Sequence, residues 1–109
     1  MTSNEENEDD FEVVFKEKLS EIKSEWDERA GDFYDTLCDQ IPDMMRTGQH
    51  KKTIGHATGT ELDFIKYAKK YIETKTNGKF KCEISRGSTH KTISLIAELQ
   101  EVDEIIDNL

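Results

Sequence analysis

At 109 residues the chain has room for one domain and a single modest core. Only 34% of residues are hydrophobic and 36% are charged, so part of the chain is expected to stay unpacked. No apolar run approaches the roughly 18 residues of a membrane span, so nothing is expected to cross a membrane and no membrane partner is expected.

The net charge of −9 is an average over unlike segments. Met1 to Met45 carries 15 acidic and 4 basic residues, a net of −11. Arg46 to Thr92 carries 11 basic and 4 acidic residues, a net of +7, and all three histidines. Ile93 to Leu109 has 5 acidic residues and no basic one. Charge of this kind argues about partners and not about fold.

The start, Met-Thr-Ser-Asn-Glu-Glu, has neither the basic nor the apolar region of a secretory leader. Residues 1–10 hold Glu5, Glu6, Glu8, Asp9 and Asp10 and no apolar residue after Met1, so they are expected to form a disordered acidic tail before a single α+β domain over 11–109.

From Phe11 the apolar residues Phe11, Phe15, Leu19, Ile22 and Trp26 recur at helical steps of 4, 4, 3 and 4. The stripe continues through Ala30, Phe33, Tyr34, Leu37, Cys38 and Ile41. Gly31 marks either a hinge between two helices or a bend in one, and Pro42 is expected to end the run. These positions are expected to be largely buried, in the core or in a dimer interface.

Lys52 to Gly55 reads as a short edge strand. Thr60-Glu61-Leu62-Asp63 has the spacing of a capping box, and Leu62, Ile65, Ala68, Tyr71 and Ile72 make the apolar face of the helix that follows. Asn77-Gly78 is its stop signal. Phe80, Cys82 and Ile84 alternate with polar residues, as do Ile93, Leu95 and Ala97, which predicts an antiparallel hairpin. A four-residue loop would pair Cys82 with Ile93 and Phe80 with Leu95. Helical spacing returns at Leu99, Val102, Ile105, Ile106 and Leu109. The fold class is therefore α+β: an N-terminal helical pair or one bent helix, a further helix on a small antiparallel sheet containing a β-hairpin, and a short C-terminal helix.

Cys38 and Cys82 both lie in apolar patterns, which favours reduced, buried thiols and an intracellular location, without distinguishing cytoplasm from nucleus. His50 and His56 are separated by five residues, but the second close pair of ligands that a zinc site needs does not exist, so neither a metal nor another cofactor is expected. His56-Ala57-Thr58 and His90-Lys91-Thr92 resemble the paired His-x-Thr motifs of the two-histidine phosphoesterases. In that family one histidine acts as base and the other as acid, while each hydroxyl holds the phosphate. The resemblance is confined to the two tripeptides, and a separation of 34 positions leaves no room for that family's duplicated fold. No enzyme is expected.

The cationic middle carries the leading expectation: a small non-catalytic accessory or regulatory protein that binds the backbone of RNA or DNA. The candidate residues are Lys51, Lys52, Lys66, Lys69, Lys70, Lys79, Lys81, Arg86 and Lys91, with Tyr67 and Tyr71 among them to stack on unpaired bases. Only two of the eleven basic residues are arginine, so contacts would be with phosphate rather than base edges. Arg86 to Lys91 joins a glycine, two hydroxyls and cations in a possible anion nest. Alternatively the +7 segment faces the acidic helices of its own fold. The competing function is a protein-interaction module, acting through the helical stripe as a homodimer or on another partner, or as an acidic mimic of nucleic acid through Glu17, Glu21, Glu25 and Glu28.

Overall fold

The computed structural model describes residues 3–109, with side chains described from Asp10 onward. The disordered tail expected over residues 1–10 falls, apart from Asp10, on residues whose side chains lie outside that range. The elements are α1 (Ser3–Thr47), β1 (Lys51–Thr58), α2 (Leu62–Lys75), β2 (Phe80–Arg86), β3 (Thr92–Leu99) and α3 (Val102–Asp107). The class is α+β, with a three-stranded antiparallel sheet in the order β1-β3-β2.

Of the two expected forms, a helical pair or one bent helix, the structure has the single helix. Its apolar residues, Phe11, Phe15, Leu19, Ile22, Trp26, Ala30, Phe33, Leu37, Ile41 and Met44, follow steps of 4, 4 and 3 three times over. That period, 11 residues in three turns, drifts only about 20° per repeat from an ideal helix, so the stripe stays on one face from end to end. Gly31 costs about 1 kcal/mol against alanine but does not break the helix, because Ala30, Phe33 and Leu37 anchor both sides of it in the core. Pro42 does not end it either. Pro42 removes one N–H from the ladder and lies on the exposed side, while Met44 beyond it is fully buried and Met45 packs on the core. The last turn is closed by the Thr47 hydroxyl, which donates to the Asp43 carbonyl at 2.7 Å.

The sheet has one covered face. Ala57, Ile93, Leu95, Ala97, Leu99, Phe80 and Cys82 are buried on it beneath α1 and α2, with Leu37, Met44, Phe64, Ile65, Ala68 and Ile72 opposite. The other face shows Lys51, Thr53, His56, Thr58, Thr92, Ser94, Lys81, Glu83 and Ser85 outward.

The β2–β3 hairpin forms as the alternation requires, but four residues out of the expected register. Cys82 pairs with Ala97, Ile84 with Leu95, Arg86 with Ile93 and Phe80 with Leu99. A shift by an even number leaves every side chain on its expected face, so Cys82 and Ile93 still share the core side. The turn is centred between Thr89 and His90 instead of between Gly87 and Ser88, and that displacement of two residues changes the pairing by four. β1 is an edge strand, twice as long as expected, with a register shift between Thr53 and Gly55 that leaves Ile54 as the extra, buried residue.

α2 begins at Leu62 with Glu61 as its cap residue, and the capping box of Thr60 and Asp63 does not form. Asn77 and Gly78 end it at positive φ, with the Gly78 N–H donating to the Glu73 carbonyl at 2.9 Å. Leu99 belongs to β3, so the last helix starts later than expected. Both cysteines are free, Cys82 buried and Cys38 half-buried. No helix among the described residues is long and apolar enough to cross a membrane.

Candidate functional site

The nine candidate cations lie on different sides of the sheet. Lys51 and Lys81 are on the outer face, flanking Glu98 across the strands, and Lys51 pairs with Glu83 at 2.9 Å. Lys52 reaches α1 and donates to Gln40 Oε1 at 3.1 Å. Lys66, Lys69 and Lys70 are on α2, across the sheet from Lys51 and Lys81, and Lys69 lies 3.7 Å from Glu73. Lys79 is on the rim of a cavity of about 720 Å³ between the end of α1, the α2–β2 turn and α3. Arg86 and Lys91 stand at the hairpin tip, where the N–H groups of Gly87 and His90 are used inside the loop.

The fold does gather one group. Tyr67, Lys70, Tyr71, Thr74 and Lys75 line a shallow cavity of about 310 Å³ on α2. Lys75 lies 5.2 Å from the ring centre of Tyr34 and 5.5 Å from that of Tyr71. The Tyr67 hydroxyl donates to Asp27 of α1, and Asp27 also holds Lys23 at 2.6 Å. The hydrogen bond from Lys23, then that from Tyr67, holds the Asp27 carboxyl below its ordinary range.

The two His-x-Thr tripeptides meet across the sheet. Thr58 pairs with Thr92, and His56 with Ser94, whose Oγ lies 2.9 Å from His56 Nδ1. The Thr58 hydroxyl donates to Glu61, so a carboxylate occupies the place where an anion would approach. His90 sits in the loop at φ 57°, and neither histidine lines either cavity. Among the described residues no three metal-binding side chains come together.

Glu61 is a structural centre that charge counting missed. One carboxylate oxygen accepts from the Thr58 N–H at 3.0 Å and from its hydroxyl, and the other binds Arg29 of α1 at 2.7 Å. The Arg29 guanidinium also lies 3.9 Å above the Phe64 ring. Arg29 first, then the Thr58 N–H, lowers the Glu61 pKa from 4.5 to about 2.

The largest departure from expectation is on α1. From Trp26 onward the stripe is covered: Trp26 meets Phe64 and Tyr67, and Phe33 meets Phe64. Before Trp26 it is bare within the chain. Phe11 is 62% exposed, Leu19 50% and Ile22 39%, with Phe15 and Val14 between those limits. Burial of this half in the core of its own chain is thus corrected: α1 outruns the sheet and α2, and among the described residues no other element covers Phe11 to Ile22. The molecule is 65 Å long, about the length of a 45-residue helix. Its radius of gyration is 18.7 Å, where a compact chain of this length would have about 13 Å.

Compared with known proteins, the chain matches no family model, no curated protein and no solved structure.

Proposed function

We propose that this chain is a small non-catalytic accessory protein that docks a protein partner on the exposed stripe of α1. The observation that carries this reading is the row Phe11, Val14, Phe15, Leu19 and Ile22, exposed along one side of a projecting helix and continuous with the face the domain buries. Contiguous apolar patches on soluble chains mark interaction sites. A helix of about 15 residues without tertiary contact is marginal in water, so this segment needs a cover to stay helical. A photo-crosslinking residue at Leu19, in extracts of the native host, should capture a polypeptide, and one at Glu28 on the far side should not. Equal capture at both positions, or none at Leu19, contradicts docking.

A second reading rests on α2, where Lys66, Lys70 and Lys75 stand beside Tyr67 and Tyr71. Such a patch suits a nucleic-acid backbone, with cations on phosphate and rings beneath unpaired bases. A gel-shift titration at low salt with single- and double-stranded RNA and DNA tests it. It requires a shift that disappears as salt rises and in a Lys66→Glu, Lys70→Glu variant.

A further inference from the structure

We infer that the occupant of the stripe is a second copy of this chain, its α1 running antiparallel to the first. The inference rests on the docking reading above and identifies the partner.

Three observations support the inference. The first is steric. The stripe keeps one face along the whole of α1, and from Trp26 to Met44 that face is covered by α2 and the sheet. In a parallel, in-register pair both copies would need that space for their own α2 and sheet. Reversing one helix puts the two domains at opposite ends and leaves the bare halves face to face.

The second is the spacing. Phe11, Phe15, Leu19 and Ile22 read nearly the same in both directions. With the two-fold axis near Glu17, Phe15 meets Leu19 of the other copy and Phe11 meets its Ile22. Such an isologous contact closes on itself.

The third is charge. In an antiparallel pair equivalent flanks meet, so Glu12 on one flank comes beside Lys23 of the other copy. Lys18 comes near its own equivalent, a like-charge contact that opposes the pairing and that Glu21, 3.8 Å from Lys18 within each chain, offsets. The helix begins at Ser3, and the segment before Phe11 contains Glu5, Glu6, Glu8, Asp9 and Asp10. In this arrangement that segment reaches the other copy's α2 beside Tyr67, where Lys66 and Lys70 are exposed. The acidic start and the cationic middle, sorted along the sequence, are thus brought together between chains.

The test is sedimentation equilibrium with small-angle scattering on the purified full chain, across micromolar to sub-millimolar concentrations. The expected particle has twice the 12.6 kDa chain mass and a length of about 90 Å, set by two helices each reaching about 45 Å from the axis. Leu19→Asp should give a monomer that keeps the amide dispersion of the sheet. Glu12→Lys should raise the dissociation constant several-fold, and Glu12→Lys with Lys23→Glu should restore it. A dimer that keeps the 65 Å length of one chain overturns the antiparallel arrangement. A monomer at every concentration overturns the inference. If its Leu19 still captures a different polypeptide, the docking reading stands alone; if it captures nothing, both fail.

Discussion

Two glycines show how the same residue type takes opposite roles in this fold. A Cβ on Gly31 would lie 3.8 Å from the Tyr71 hydroxyl, an ordinary contact, and the residue is inside α1. Gly31→Ala should therefore stabilise the protein by about 0.5–1 kcal/mol, the helix-propensity gain. A Cβ on Gly55 would lie 2.5 Å from the Phe33 ring, which packs directly on the bulged strand. Gly55→Ala should destabilise by about 1–3 kcal/mol, an overpacking cost. Urea denaturation of the two variants checks both signs. Glu61 supplies a pH dependence. Its folded pKa of about 2 is below its ordinary 4.5, so its stabilisation is complete above pH 4.5 and is lost as pH falls toward 2. Glu61→Gln should flatten the acid limb of stability in that window, as thermal melts from pH 6 to pH 2 would show. A limb of unchanged steepness would remove Glu61 as the junction of β1, α1 and α2.

At the scale of elements, α1 divides at Trp26 into a half that holds the domain together and a half that projects beyond it. Leu37→Ala should cost about 2–5 kcal/mol, since Leu37 is fully buried beneath the sheet. Leu19→Ala should leave the stability of the dilute single chain within about 0.5 kcal/mol. Chemical denaturation at low concentration separates the two. The helical stripe, the alternation of both hairpin strands and the Asn77-Gly78 stop were legible from residue spacing. The continuity of α1 through Gly31 and Pro42 was not, because local penalties of about 1 and 3 kcal/mol are outweighed by packing that a linear reading does not contain. Hairpin register was hidden for a related reason: alternation sets the face of each side chain, and a shift of four preserves it. Whether an apolar stripe is covered depends on where the other elements end, and nothing in residues Phe11 to Ile22 distinguishes them from the buried residues beyond Trp26.

For the whole molecule, the sorted charge was plain in the sequence, but its geometry was not. Cations contiguous along the chain fall on opposite sides of the sheet, and Lys51 and Lys69 already face carboxylates of their own chain. What remains concentrated is the lysine-bearing face of α2, next to the projecting half of α1. The central claim is that association keeps that half helical, and amide hydrogen exchange along a dilution series tests it most directly. The predicted result is that the amides from Phe15 to Glu25 are slow at high concentration and accelerate toward coil rates on dilution, while those of Ile93 to Ala97 stay slow throughout. Protection from Phe15 to Glu25 that does not change with concentration, or is absent even at the highest, would contradict the account.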